Sequence, residues 1–225
     1  EAGQTTYDVP EERVLLPIKQ VPADKGIGDA LEVFIYRDSK DRMIATTNLP
    51  KITLHKVAML KVAQIGKFGA FLNWGLEKDL FLPFKEQTRP VQVGDECIVA
   101  LYIDKSGRLC ATMKVYPYLR MDSPYGKDDK VTGVVYEISD NFGAFVAVDN
   151  CFSALIAKKE MTTKLSVGDV VTARVASVKK EGKLDLSLRE KAYIQMNIDA
   201  EKVMKKLEEK NGVLPFTDKA SPELI

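Results

Sequence analysis

The stretch "KFGAFLNWG", residues 67–75, returns as "NFGAFVAVD" at residues 141–149. The tetrapeptide Phe-Gly-Ala-Phe therefore occurs twice, 74 residues apart from Phe68 to Phe142. The pair Gly94-Asp95 recurs at the same offset as Gly168-Asp169. A period of this length exceeds the roughly 20–50 residues of a solenoid repeat. It indicates a small domain used in tandem.

A second signature follows each Gly-Asp pair and has the form strand, turn, strand. It occurs three times, as "EVFIYRDSKDRMIATT" (32–47), "IVALYIDKSGRLCATM" (98–113) and "TARVASVKKEGKLDLSL" (172–188). The turns "DKSG" and "KKEG" place Gly where a tight hairpin needs a positive φ. The chain thus holds two complete copies and one copy without most of its first half.

Each full copy is predicted to form five short strands. In the second copy these strands are residues 56–65, 69–74, 79–83, 96–103 and 108–115. In the fourth strand Val99, Leu101 and Ile103 alternate with Ile98, Ala100 and Tyr102, so the two sets face opposite sides. Strands this short, in a unit of about 65 residues, are best protected by closing into a small barrel without exposed edges.

The joint pattern resembles a known domain. A strand, "FGAF", a group of small and apolar residues, "VGD", and a hairpin with "GRL" or "GKL" are similar to the S1 RNA-binding domain, a five-stranded OB-fold barrel. Tandem copies followed by "NGVLPFTDKASPELI" (211–225) resemble the conserved virulence factor B family of bacterial regulators. In that family tandem S1 domains precede a winged-helix domain. The resemblance covers nearly the whole chain.

The expected architecture is mainly β, with tandem S1-type barrels before a helical segment. The predicted division is 1–50 for a partial first S1-like domain, 51–117 for the second, 118–126 for a linker, 127–191 for the third, and 192–225 for the start of a winged helix. "ERVLLP" (12–17) corresponds to "KDLFLP" (78–83), and a new helix begins near Ser221. We therefore expect a fragment with incomplete first and last domains.

The S1 resemblance assigns RNA contact to the recurring phenylalanines, which are Phe68, Phe71, Phe142 and Phe145. Single-stranded nucleic acid binds by stacking bases on aromatic rings while cations hold the phosphates. Residues three apart on a flat strand face opposite sides. Both rings of a pair are therefore exposed only if Gly69 or Gly143 bends the strand; otherwise one ring fills the barrel core.

The hairpin is the second candidate RNA contact. Its members are Tyr102, Asp104 and Arg108 in the second copy, Tyr36, Asp38 and Arg42 in the first, and Ala176, Lys179 and Lys183 in the third. The arginine could contact a phosphate or stack on a base. The aspartate could accept a hydrogen bond from a base or a ribose hydroxyl, or it could orient the arginine. The alternative is a solvated hairpin of ordinary turn residues.

Three lysines and a tryptophan complete the predicted interface. Where S1 domains often carry a histidine, this chain has Pro83 and Ala157, so backbone contact there would fall to nearby lysines, namely Lys85, Lys158 and Lys159. Trp74 either extends the stacking surface or anchors the loop. We expect the anchor, because a lone indole is usually at least half buried.

Charge separates the copies. Residues 1–50 have 6 basic and 9 acidic residues, net −3; residues 51–117 have 10 and 6, net +4; residues 127–191 have 11 and 10, net +1. Neutralisation of phosphates dominates non-specific affinity. The second copy is therefore predicted to be the main RNA contact, the third an auxiliary one, and the first chiefly structural or protein-binding.

The C-terminal stretch "NIDAEKVMKKLEEKNG" (197–212) is predicted to be a helix. Its apolar stripe contains Ile198, Val203, Met204 and Leu207, and Gly212 ends it. It is either the first helix of a DNA- or RNA-binding winged helix or a helix packed on the third barrel. The segment "YPYLRMDSPYGKDD" (116–129) connects the full copies, with Tyr118 and Tyr125 suited to pack one barrel on the next.

Composition narrows the function. No apolar run approaches the roughly 18–20 residues of a spanning helix, so no membrane contact is expected. A single histidine and three cysteines without metal spacing favour free thiols in a reducing cytoplasm and neither metal nor cofactor. We therefore expect a non-catalytic cytoplasmic protein that binds single-stranded RNA and regulates expression after transcription, with virulence regulation implied by the resemblance.

Two other functions stay open to different degrees. The barrels could instead form a protein-interaction scaffold in a ribosome- or RNA-decay-associated complex, because small barrels host many functions. An enzyme such as a nuclease is disfavoured, since the carboxylates show no metal-binding spacing. DNA contact would fall to the winged helix, and the sequence leaves the oligomeric state open.

Overall fold

The computed structural model describes residues 13–38, 40, 42–161, 163–189, 200 and 203–209. The strands in this part of the chain are β1 (Phe34–Arg37), β2 (Met43–Thr46), β3 (Val57–Ile65), β4 (Gly69–Asn73), β5 (Leu80–Pro83), β6 (Glu96–Ile103), β7 (Leu109–Thr112), β8 (Lys130–Ser139), β9 (Gly143–Val148), β10 (Phe152–Ala157), β11 (Val170–Val178) and β12 (Leu184–Ser187). Short 3-10 turns cover Ile18–Gln20, Phe84–Glu86, Tyr116–Tyr118 and Lys158–Glu160.

Ten of these strands form two closed barrels with the same topology. The second barrel runs β3-β4-β5-β7-β6, and the third runs β8-β9-β10-β12-β11. In each barrel one pair is parallel, β5 with β7 and β10 with β12, and the other pairs are antiparallel. The predicted fold class, mainly β with tandem five-stranded barrels, is confirmed.

The alternation predicted in the fourth strand of the second copy is confirmed from Ile98 to Leu101, whereas Ile103 at the end of β6 is 51% exposed and lies outside the interior. Val99 and Leu101 are fully buried in the interior of the second barrel. Ile98 and Ala100 are buried on the outside of that barrel, in an apolar cluster shared with the third barrel. One set of side chains on β6 therefore packs in the barrel interior, and the alternate set packs in the contact between the two barrels.

Close approach between strands explains the glycine of each Phe-Gly-Ala-Phe. A Cβ at Gly69 would collide with the carbonyl of Leu82 on the neighbouring strand. A Cβ at Gly143 would collide with the carbonyl of Ile156, and Gly143 has a φ of +118°. Both positions require glycine because the backbone of the neighbouring strand leaves no space for a Cβ atom. Gly143 is also required because its backbone has a left-handed conformation.

The first copy contributes a hairpin. Strands β1 and β2 pair antiparallel, and Leu15 forms an isolated bridge with Ile44. Phe34 and Tyr36 pack edge-on against Trp74, with ring centroids 5.8 and 6.3 Å from the indole. Tyr36 is consequently part of the apolar cluster of the second barrel.

An apolar cluster joins the two barrels. Its buried members are Val57, Ile98, Ala100, Val115, Leu119, Val134, Tyr136 and Ala147. Tyr118 packs against this cluster, whereas Tyr125 packs on the core of the third barrel. The backbone N–H of Arg120 donates to the carbonyl of Cys151 at 2.7 Å, and the N–H of Ser153 donates back to Arg120 at 2.9 Å. The segment 116–129, which we call the linker, is therefore attached to the third barrel at the start of β10.

The described residues of the C-terminal segment, 200 and 203–209, are helical. Val203 and Met204 are exposed, and Leu207 is partly exposed. Ile198, Gly212 and the rest of the predicted winged helix lie outside the described residues. In the part of the chain that the structure covers, no helix combines the length and apolar character needed to cross a bilayer.

Candidate nucleic-acid interface

A groove on the outer face of the second barrel collects most of the residues predicted for the second copy. It has a volume of about 340 Å³. Its aromatic wall is formed by Phe68, Phe71, Trp74 and Phe81. The charged residues that line it are Arg37, Lys67, Lys78, Asp79, Asp104 and Arg108. We call this the second-barrel groove.

Both phenylalanines of the first tetrapeptide reach this groove. Phe68 precedes β4 and is 72% exposed, and the Lys67 ammonium lies 5.5 Å from its ring centroid. Phe71 is half-buried and lies between Ala70 and Leu72, which are fully buried in the barrel interior. The chain enters β4 at Gly69, so Phe68 lies before the strand and neither ring is in the core. Both rings of this pair therefore lie outside the core, which is the first of the two alternatives given by the sequence.

The hairpin residues Asp104 and Arg108 line the same groove. The Asp104 carboxylate accepts hydrogen bonds from the Ser106 hydroxyl at 2.6 Å and from the backbone N–H of Arg108 at 3.0 Å. These bonds lower the pKa of Asp104, with the Ser106 hydroxyl the largest cause. The aspartate therefore stays ionised and fixes the turn that presents Arg108.

Trp74 anchors the loop, as expected. It is 3% exposed, and its indole N–H donates to the carbonyl of Lys78 at 2.6 Å. The Lys78 ammonium in turn donates to the carbonyls of Arg37 and Asp38 at 3.2 and 2.9 Å. The anchor thus connects the groove to the hairpin of the first copy.

The prediction for the first-copy hairpin needs correction. Tyr36 lines the groove but is only 7% exposed, because the hairpin packs on Trp74, so it offers no full ring face for stacking. The Arg42 guanidinium forms a bidentate ion pair with Asp38, at 3.0 and 2.7 Å. Arg37, which the sequence argument did not select, lines the groove instead.

A corresponding groove lies on the third barrel, with a volume of about 360 Å³. We call it the third-barrel groove. Phe145, Lys179 and Lys183 of the predicted set line it. Phe142 lies at its margin, 63% exposed, with its ring centroid 6.5 Å from that of Phe145. The ammonium of Lys179 pairs with Asp185 at 3.1 Å.

Other predicted residues lie away from both grooves. Tyr102, on β6 of the second barrel, is half-buried, and burial raises its pKa to about 12. Lys85 is in the 3-10 turn after β5, where its carbonyl accepts a bond from Lys114. The Lys158 ammonium donates to the carbonyl of Asp140 at 3.2 Å. Ala176 offers no ring at the position of Tyr102.

The sequence argument missed three aromatic residues that line the grooves, namely Phe81, Tyr116 and the largely buried Tyr136. Phe81 lies opposite Phe71 on β5, with ring centroids 5.3 Å apart. Its position between the inward-facing Leu80 and Leu82 was the available signal. Tyr116 of the linker lines the third-barrel groove. No local pattern marked it, because its place depends on how the linker packs on the third barrel.

Comparison with known proteins agrees with this geometry. A family model for the "S1 domain" matches residues 8–48 and 56–114, and one for the "S1 RNA binding domain" matches residues 125–189. The uncharacterized protein YitL of Bacillus subtilis is 31% identical over 225 residues, which covers 96% of this chain and 75% of YitL. Conserved virulence factor B of Staphylococcus saprophyticus is 28% identical over 209 residues, which covers 88% of this chain and 69% of that protein.

A solved structure shows the same fold. It is a multidomain protein with nucleic acid binding domains from Streptococcus pneumoniae, which superposes with a TM-score of 0.53 at 21% identity. The match covers 93% of this chain and 77% of that one. At this identity the likeness bears on the fold alone.

Proposed function

The chain belongs to the family of tandem S1-domain proteins that includes YitL and conserved virulence factor B, and from this membership we propose that it binds single-stranded RNA without catalysing a reaction. The second-barrel groove is the observation that carries the proposal. Aromatic rings at Phe68, Phe71 and Phe81 lie beside cations at Lys67 and Arg108. Such a surface stacks unpaired bases and holds phosphates.

The family supplies the wider role. The relatives include conserved virulence factor B proteins of staphylococci, and a cytoplasmic regulator that acts on RNA after transcription fits this membership. DNA contact, if it occurs, belongs to the winged helix expected beyond the described barrels.

The two grooves are expected to contribute unequally. The second copy carries net +4 and the third net +1, and the second-barrel groove has more aromatic rings. In the intact chain Phe71→Ala should therefore weaken RNA binding more than Phe145→Ala does. A larger loss from Phe145→Ala would overturn this ranking.

The test is fluorescence anisotropy of a labelled oligouridine over a salt series. We expect modest affinity that falls steeply between about 50 and 200 mM salt, because counterions are released from the phosphates. Arg108→Gln should weaken binding and flatten the salt dependence. Arg89→Gln removes the same charge from an arginine that pairs with Asp95 at 3.0 Å outside the groove, and it should have little effect. An unlabelled DNA oligomer of matching sequence measures the preference for RNA.

A protein-interaction scaffold is the second candidate, and one observation favours it. The first-copy region exposes several large apolar side chains, among them Ile18, Ile27 and Leu49. Large exposed apolar side chains are one feature of protein-contact surfaces. If the chain binds neither RNA nor DNA at low salt, the scaffold is the better interpretation.

A further inference from the structure

We propose that Tyr116, in the linker before the third barrel, is a base-stacking residue of the third-barrel groove, so that this RNA site is assembled from the third barrel and the linker. The inference rests on the proposed function. It adds a binding residue outside the barrel itself, and it makes the third barrel dependent on the linker for nucleotide binding.

The third barrel has lost rings that the second barrel has. Phe71 of β4 is opposite Phe81, whereas its counterpart Phe145 of β9 is opposite Leu155. The position of Tyr102 is Ala176 in the third copy. Tyr136 of β8 also lines the third-barrel groove but is only 4% exposed, so it offers no full ring face. Since stacking on aromatic faces supplies much of single-strand affinity, the third barrel alone has a weakened surface.

Tyr116 restores a ring at this place. It lines the third-barrel groove together with Phe145 and is 43% exposed. The Lys183 ammonium lies 5.6 Å from its ring centroid. The ammonium over this ring supplies a counter-charge for a phosphate, and the exposed part of the ring supplies a stacking surface for the adjoining base.

The ring is held in position before any ligand arrives. Its neighbours Val115 and Leu119 are buried in the cluster between the barrels. Downstream, Arg120 is tied to β10 through its backbone. The hairpin turn at Gly182 packs so closely on the linker that a Cβ there would collide with the Met121 carbonyl. A ring ordered in this way loses little conformational freedom on binding.

The ligand is an unpaired ribonucleotide within a longer strand. Tyr116 and Phe145 supply the stacking surface for its base, and Lys179 and Lys183 supply charge for its phosphates. Asp185 holds Lys179 by an ion pair at 3.1 Å, which keeps that ammonium at the groove edge. The volume of about 360 Å³ is within the range of small-ligand sites, about 300–1,000 Å³.

The experiment uses the full chain with Phe71→Ala as background, which weakens the second-barrel groove. Oligouridine affinity is compared for Tyr116→Ala, Tyr116→Phe and Tyr118→Ala. Tyr118 belongs to the same 3-10 turn but packs toward the inter-barrel cluster, so it controls for damage to the linker. We expect Tyr116→Ala to lower affinity about five- to tenfold, with Tyr116→Phe within about twofold of the background.

A second measurement is direct. A 4-thiouridine oligomer photocrosslinked to the unsubstituted chain should modify Tyr116, as identified by mass spectrometry. An unchanged affinity in Tyr116→Ala, when Phe145→Ala weakens binding, overturns the inference and leaves the proposed function standing. Equal losses in Tyr116→Ala and Tyr118→Ala overturn it in favour of a structural role. Absence of RNA binding by the unsubstituted chain at low salt overturns both.

Discussion

Phe71 and Phe81 form a cross-strand pair on the outside of the second barrel, with ring centroids 5.3 Å apart and ring planes inclined by 41°. The flanking residues of both strands, such as Leu72 and Leu82, are fully buried. The pair is therefore an aromatic surface supported from behind by a packed barrel. Such support keeps a stacking surface rigid without making its rings part of the core.

Replacing Phe71 with leucine tests the surface directly. Leucine keeps much of the apolar contact with Phe81 but removes the ring, so RNA affinity should fall by about 1–3 kcal/mol per lost stacking contact. Phe84→Leu is the matched control, because Phe84 is exposed and follows β5 outside the groove. Anisotropy gives the affinities and thermal unfolding verifies the fold. Equal losses in the two variants would argue against a stacking role.

The glycine of the second tetrapeptide is predicted to be structurally required. Gly143→Ala places a Cβ against the Ile156 carbonyl at a φ of +118°, whereas Gly168→Ala adds a Cβ in open space at a φ of +102°. Gly168→Ala should cost about 1 kcal/mol of unfolding free energy from the backbone conformation alone. Gly143→Ala should cost at least about 2 kcal/mol more. Denaturant titration of both variants measures the difference, and similar values would contradict the close approach.

Trp74→Phe should loosen the first-copy hairpin from the second barrel. The change removes the indole hydrogen bond to the Lys78 carbonyl and part of the contact with Phe34 and Tyr36. We expect a loss of about 1–3 kcal/mol in unfolding free energy. Because the chain has a single tryptophan, circular dichroism is the suitable measurement. A stability equal to that of the unsubstituted chain would show that the anchor is not needed.

The hairpin that presents Arg108 is predicted to weaken in acid. The pKa of Asp104 is lowered from the ordinary value of 3.8, first by the Ser106 hydroxyl. A carboxyl group whose pKa is lower in the folded chain stabilises the fold at any pH above its pKa in the unfolded chain. That contribution is lost as the pH falls through the pKa of the folded state. An NMR titration should give a midpoint below 3.8 for Asp104.

Ser106→Ala provides the control for this titration. It should move the Asp104 midpoint upward toward 3.8. The pKa of Asp95, which the backbone N–H of Gln92 and the Arg89 side chain lower, should not change. A midpoint for Asp104 that Ser106→Ala does not move would assign the shift to other groups.

Sequence patterns within one strand predicted which side chains face the barrel interior, because strand geometry alone decides that. The alternation of Val99 and Leu101 with Ile98 and Ala100 has the period of a strand, so barrel interior and exterior could be assigned from the sequence. The recurring glycine was interpreted as a bend. Its main requirement is the approach of a neighbouring backbone, seen at Gly69 against Leu82, and this depends on barrel closure.

Residues outside the repeat pattern were harder to assign. Tyr36 matches Tyr102 in its hairpin, but the first-copy hairpin packs on Trp74 and its tyrosine becomes buried. Tyr116 belongs to a segment with turn composition, and only the packing of that segment on the third barrel brings it to a groove. The burial of Tyr36 and the placement of Tyr116 both depend on packing between domains. Aligning the repeats with one another gives no information on that packing.

The buried contact between the barrels also fixes the spacing of their two grooves. Val57 and Ala100 of one barrel share a dry cluster with Val134 and Ala147 of the other, so the separation does not depend on a freely jointed tether. If RNA occupies both grooves, the protein then acts as a molecular ruler. Oligomers below a threshold length would engage one barrel, and affinity would rise in a single step once the strand can bridge the gap.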